Sequence, residues 1–248
     1  MNAAFDSCVL VSAEAEQDWI ARRNEAGIDR PQIALIEYAV PSIIYGRSKI
    51  PAADALQRAH ERGATVIQRR TGGGVVLAGP WMLAMALLLP PECALAKAGI
   101  VSGFRRFGQV WATALDALGV RCEEATPQEM ARHNDLATRA GVKWVCFSGL
   151  SHGELTDAQG CKVLGLAQSR GKWGTLLSAG LLLGAVPWEL LGWVHLAAPN
   201  WALGSPNSGG VAVNPLLLRR ELLKAFGDAL EGSMRRQPVQ RDENNGER

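Results

Sequence analysis

The chain has 248 residues, 26 Lys and Arg against 24 Asp and Glu for a net charge of +2, with 48% hydrophobic and 20% charged residues. That balance is ordinary for a soluble globular protein able to bury a sizeable core. It offers no basic field for nucleic acid or a membrane surface as a partner.

Met1 to Val11 lacks a basic start followed by a long apolar run, so no signal peptide is expected. Glu14 to Arg23 reads as a helix ending near Gly27. Gln32 to Glu37 and Ser42 to Tyr45 are short β-rich runs, separated by Pro41, which forces extended geometry before it. Ala52 to Arg62 is a helix that Gly63 can close in the left-handed conformation. Ala64 to Arg70 is a strand running into a glycine cluster. Trp81 to Leu89 is apolar throughout, as in a strand covered on both faces, although periodicity alone also allows a buried helix. It is too short to span a bilayer.

Ser102 can cap a helix in which Phe104, Phe107, Trp111, Leu115 and Leu118 recur at near-helical spacing up to Gly119. Val120 to Glu123, Lys143 to Phe147, Lys162 to Leu166 and Leu176 to Leu183 read as further strands. Ala197 to Val213, rich in Pro, Asn, Ser and Gly, is a long loop. Leu216 to Leu230 is a closing helix, and Gly232 to Arg248, nearly free of apolar residues, is expected to be disordered. Together these predict one α+β domain, with a largely antiparallel mixed sheet flanked by helices. The five cysteines, Cys8, Cys93, Cys122, Cys146 and Cys161, follow no metal-ligand spacing. No metal is expected, and reduced thiols suit the cytoplasm.

The run Arg69-Arg70-Thr71-Gly72-Gly73-Gly74 stands out. Successive glycines after a strand let backbone amides approach an anion, and the arginines add fixed positive charge. The same run also suits a plain flexible hairpin turn. It has neither P-loop spacing nor that of a dinucleotide fingerprint. Lys162, in a strand, is either a solvated edge charge or a cation placed where negative charge develops. Cys146, between Trp144 and Phe147, is either a small buried hydrophobe or a nucleophile.

Three ordered motifs carry a resemblance: Ile44-Tyr45-Gly46-Arg47-Ser48, then Val66 through Val76, then Lys162-Val163-Leu164-Gly165-Leu166-Ala167-Gln168-Ser169-Arg170 with the apolar strand after it. In that order they resemble the lipoate–protein ligase and octanoyltransferase family, over roughly Glu14 to Leu230. The resemblance implies a class II synthetase-like catalytic fold, shared with biotin ligases, over 1–231, and a disordered polar tail over 232–248. It implies attachment of an octanoyl or lipoyl group to a lysine of a lipoyl domain, in 2-oxoacid dehydrogenases or the glycine-cleavage H protein. Lys162 matches the family's active-site lysine. Cys146-Phe147-Ser148, with Ser151 and Glu154 following, resembles the loop of the nucleophilic cysteine in one octanoyltransferase branch.

On that resemblance, a Cys146 thiolate would lie beside the Lys162 ammonium. His152 is a candidate base or a surface histidine. Gly46, Arg47, Arg69, Arg70, Gly72, Gly73, Gly74 and Val75 would bind substrate, with Gly165, Ala167 and Gln168. The strands around Val75 to Leu77 and Leu176 to Leu183 would supply an apolar bore for the acyl tail. The chain has Ala78 where family members commonly carry a histidine, and it lacks the extra C-terminal domain of many lipoate ligases.

No permanently bound cofactor is implied. Octanoyl transfer from acyl-carrier protein through Cys146 is the first mechanism. ATP-dependent ligation of lipoate, with magnesium, is the second. A binding module without turnover is the third. A biotin ligase would show a Gly-Arg-Gly-Arg type loop at Thr71 to Gly79, which this chain does not.

Overall fold

A computed structural model describes residues 5–97, 99–195 and 206–234. The chain opens with β1 (Asp6–Leu10), α1 (Ala13–Ala26) and β2 (Gln32–Glu37). Ser12 starts α1 by accepting the Ala15 amide on its hydroxyl, and Gly27, at φ 84°, ends it. Next come β3 (Ser42–Tyr45), α2 (Ala55–His60), β4 (Thr65–Gln68), β5 (Val76–Ala78) and β6 (Met82–Leu89). Then follow α3 (Ala94–Lys97), α4 (Ile100–Asp116), β7 (Glu123–Glu124), α5 (Pro127–Arg139) and β8 (Leu155–Thr156). The long hairpin β9 (Lys162–Gly171) and β10 (Gly174–Leu182), α6 (Glu189–His195) and α7 (Pro215–Met234) complete it.

Seven strands form one sheet in the order β1-β2-β6-β10-β9-β8-β7, and three form a smaller one, β4-β3-β5. The large sheet is antiparallel except for β1 against β2, and in the small one β3 runs parallel to β4 and antiparallel to β5. This is the mixed α+β architecture expected from the pattern of elements.

β6 is buried on both faces, and its period of two divides the core. Leu83, Met85, Leu87 and Leu89 join Phe107, Trp111 and Leu115 of α4 and Leu218, Leu222 and Phe226 of α7. Met82, Ala84, Ala86 and Leu88 face the other way, with Ile43, Ile44 and Leu77 of the small sheet and Trp19 and Ile20 of α1. The second face is floored by small residues. Across three strands the register aligns Ala84 with Gly180 and Gly165, and Ala86 with Ser178 and Ala167. Missing side-chain volume along that floor leaves room for a cavity.

Several local expectations are corrected. Lys143 to Phe147 is no strand: Val145 and Ser148 donate backward to Val142 and Val145 carbonyls, giving consecutive turns with one bridge between Val75 and Val145. Helix α4 begins at Ile100 after Gly99, so Ser102 lies within it rather than capping it. Val120 to Glu123 shrinks to the pair Glu123–Glu124, which alone meets β8. α2 keeps only the middle of its predicted span, although Gly63 turns the chain at φ 67° as expected. No element was predicted over 127–139. There Pro127 and a reciprocal Thr126–Glu129 capping box start α5.

The last helix runs to Met234, three residues past the predicted end of the catalytic domain; the rest of the predicted tail, 235–248, lies outside the described residues. Part of the predicted loop over Ala197 to Val213 also lies outside them, and 206–213 contains no helix or strand. No helix among the described residues is long and apolar enough to cross a membrane.

Candidate active site

Between α1, the small sheet and the floor of small residues lies a cavity of about 100 Å³. Helix α1 contributes Glu16, Gln17 and Ile20 as one wall. Ile44 and Val76 of the small sheet form another, and Met82, Ala84, Leu176, Ser178 and Gly180 the floor. Arg69, Thr71, Cys146 and Glu154 supply further polar groups, while Gly165 and Ala167 stand beside Phe147. A methyl group at Gly165 would come 3.0 Å from the Phe147 ring, so glycine there is what lets the ring approach the strand so closely.

On the α1 side of the cavity a carboxyl and a phenol are buried together. The Tyr38 hydroxyl donates to Glu16 Oε2 at 3.1 Å. Burial raises Glu16 above the ordinary 4.5, opposed by the Tyr38 hydrogen bond and then by the charge of Arg69. Tyr38 is pushed well above its usual range, first by burial and then by the Glu16 charge. The apolar floor beside these groups suits an uncharged acyl chain.

Cys146 reaches the cavity through a turn pinned from two sides. Its amide donates to the Val75 carbonyl (2.9 Å), and the Val75 amide donates to the Trp144 carbonyl (2.8 Å). A Cβ on Gly74 would sit 2.2 Å from that same Trp144 oxygen, so this close approach requires glycine. From the other side, Lys162 is 1% exposed and its ammonium donates three hydrogen bonds. They go to Cys146 O at 3.0 Å, Gly149 O at 2.8 Å and Glu154 Oε2 at 2.6 Å. Glu154 also accepts the Ser151 amide (2.8 Å) and the Leu166 amide (2.9 Å). The buried Lys162–Glu154 pair thus ties the Cys146 turn to β9.

The structure brings some of the expected residues together and separates others. Lys162 meets the carbonyl of Cys146, not its sulfur, and the ammonium is not part of the cavity lining. The group beside the sulfur is Arg69, whose Nη2 lies 3.4 Å from Sγ. Arg69, Cys146, Gly165 and Ala167 line the cavity. Gly46 and Gly73 pack backbone to backbone behind it, where a Cβ on Gly46 would sit 2.1 Å from the Gly73 oxygen. Val75 is buried against the Cys146 turn.

Arg47, Arg70, Gly72 and Gly73 are exposed, and Arg70 contributes its amide to Gln17 Oε1. Gln168, its oxygen turned toward Arg170, accepts from that guanidinium at 2.7 and 2.8 Å and stands off the cavity. Ala78 is fully buried in β5 opposite Ser42, also off the cavity. His152 is half-buried, and its Nδ1 has no partner among the described residues. The apolar bore expected from Val75 to Leu77 and Leu176 to Leu183 is met in part by Val76 and by alternate residues of β10.

The α1 wall was missed, yet it left a trace: Ala13, Glu16 and Ile20 fall on one helix face, an acid within an apolar stripe. Among the described residues, no group of three His, Cys, Asp or Glu side chains is placed to hold a metal ion.

Known proteins share the family and the fold. Residues 12–202 match the family model described as the lipoyl protein ligase A/B catalytic domain. A Thermoplasma acidophilum protein solved with bound lipoic acid superposes with a TM-score of 0.67 at 16% identity, over 93% of this chain and 87% of the other. Lipoate-protein ligase A bound with ATP gives 0.65 at 16% identity, over 93% and 86%. The archaeal bi-partite lipoate protein ligase of T. acidophilum, studied with its E2 lipoyl domain, gives 0.61 at 17% identity, over 92% and 84%. At such identities the superpositions establish a common fold. No curated protein matches the sequence. The family model spans well over half of the chain, which therefore belongs to the lipoyl protein ligase A/B catalytic domain family.

Proposed function

We propose that this enzyme moves an octanoyl group from acyl-carrier protein to a lysine of a lipoyl domain, through a thioester on Cys146. The observation that carries this reading is the position of the sulfur, on the wall of a cavity with an apolar floor and 3.4 Å from a guanidinium. A structural cysteine needs neither feature. In the reaction, the Cys146 sulfur attacks the donor's thioester carbonyl, and the carrier thiol leaves. The acceptor lysine, as a free amine, then attacks the acyl-enzyme and regenerates the thiol. The tail lies over Ala84, Ser178 and Gly180, and each methylene buried there contributes about 0.8 kcal/mol. Lys162 and Glu154 hold the nucleophile's turn. The acceptors are the lipoyl domains of 2-oxoacid dehydrogenases or the glycine-cleavage H protein, and the setting is the cytoplasm.

The exposed cluster of Arg47, Arg70 and the glycine run favours a second reading. There, free lipoate reacts with ATP and magnesium, and the resulting acyl-adenylate anion rests on those cations and amides. In both readings the catalytic unit spans 1–231.

Intact-mass measurement of an unmodified lipoyl domain separates them. One sample contains the enzyme and octanoyl acyl-carrier protein without ATP; the other contains lipoate, ATP and magnesium. Octanoylation in the first sample, lost in Cys146→Ser, is the expected result. Lipoylation confined to the second, with full activity in Cys146→Ser, would overturn the covalent route. No mass gain in either would leave a binding module without turnover.

A further inference from the structure

We propose that Arg69 is the cation of the reaction: its guanidinium pairs with the Cys146 thiolate and then with the oxyanion that forms on the acyl carbonyl. This rests on the acyl-transfer reading above and goes beyond it by assigning to an arginine the charge that the resemblance assigns to Lys162. An ammonium has three N–H groups, and those of Lys162 are all committed to Cys146 O, Gly149 O and Glu154 Oε2. Arg69 is differently placed. Its backbone amide, bonded to Tyr45 O at 2.8 Å, anchors it at the end of β4. Its Nη2 is held by the carbonyls of Gly72 (2.9 Å) and Gly74 (3.4 Å) while facing Sγ at 3.4 Å.

Two further observations fit a guanidinium able to take up an anion. Its Nε is buried with no hydrogen-bond partner among the described residues, and among them Arg69 makes no ion pair. The carboxyl that senses its charge, Glu16, is biased to the neutral form by burial. A partly buried guanidinium without a counter-charge is costly, and an anion formed beside it is correspondingly stabilised. Gly73 keeps the approach open: a Cβ there would lie 2.7 Å from Nη2 and 3.8 Å from Sγ.

The chemistry balances without another reactant. The Cys146 thiol releases its proton to solvent, and the sulfur forms a bond to the thioester carbonyl carbon as the π pair moves to oxygen. Collapse re-forms the carbonyl and expels the donor thiolate, which takes a proton from solvent. Arg69 stays protonated throughout.

The test is the rate at which iodoacetamide alkylates Cys146 in the full chain, followed by peptide mass from pH 6 to 10. In Arg69→Gln the rate at pH 7 should fall about tenfold, as expected for loss of a cation in contact with a thiolate. Arg69→Lys should recover part of it. If near-ultraviolet circular dichroism shows that Arg69→Gln does not fold, Gly73→Ala carries the test, because its methyl group displaces the guanidinium without changing the charge. An alkylation profile equal to wild type in the folded variant overturns the proposal. Alkylation needs no acyl donor, so the two readings fail separately. An Arg69-independent profile sinks this inference while octanoyl transfer stands; an Arg69-dependent profile without octanoyl transfer sinks the transfer reading.

Discussion

Lys162→Met should destabilise the chain severely, and a second substitution should return part of the loss. Lys162 and Glu154 are 1% and 3% exposed, and their charges meet at 2.6 Å. Removing the ammonium leaves a buried carboxylate with only the Ser151 and Leu166 amides, and it frees the carbonyls of Cys146 and Gly149. Breaking a buried pair by removing one partner costs about 3–5 kcal/mol. Domains of this kind have on the order of 5–15 kcal/mol in total.

Glu154→Gln alone should cost a similar amount, because it strands the cation. In the double variant no buried charge remains, and the glutamine oxygen can still accept one amide. Coupling of about 2–3 kcal/mol is therefore expected between the two sites. Urea unfolding of the four proteins, with linear extrapolation, measures it. A loss below about 1 kcal/mol in Lys162→Met would refute the idea that this ammonium is a structural tie, and would return it to the role of a substrate contact.

Gly180→Val should shorten the accepted acyl tail. A Cβ at Gly180 already lies 3.0 Å from Met82 Sδ, so the added methyls project into the cavity over Ala84. Displacing one methylene costs about 0.8 kcal/mol, roughly fourfold in preference. Competition among donors of six to ten carbons, read by acceptor mass, should shift to shorter chains, and an unchanged order would argue against this floor. Glu16→Gln should change the pH dependence of stability. Because burial raises Glu16 above 4.5, the folded state holds its proton more tightly than the unfolded state does. Its contribution is present in full at low pH and is lost as pH rises through the folded value. The variant's stability relative to wild type should therefore grow from pH 4 to pH 8, measured by urea midpoints, and a constant difference would exclude the coupling.

Local elements were legible where one short pattern determined them. The β-rich runs at Gln32–Glu37 and Ser42–Tyr45 appear with the predicted bounds, and β6 is as buried as its unbroken apolar run implied. The turn around Cys146 misled because Val145 and Phe147 are buried anchors between turns, which mimic the alternation of a strand. The motifs located Arg69, Cys146, Gly165 and Ala167, but not their partners. Arg69 and Cys146 stand 77 positions apart, and only the seam between the small sheet and the Cys146 turn joins them. The floor is a matter of register: Ala84, Gly180 and Gly165 become neighbours only once three strands have paired.

The crossover at the beginning of the fold links ligand and chain ordering. Among the described residues β1 is an edge strand paired with β2 alone, and α1, between them, presents Glu16, Gln17 and Ile20 to the cavity. A guest that fills the cavity touches the helix that connects an edge strand of the large sheet to its neighbour. Occupancy and docking of this amino-terminal unit are then thermodynamically coupled, each strengthening the other by the same free energy. Amide exchange in β1, outside the cavity lining, becomes a reporter of whether the cavity is full.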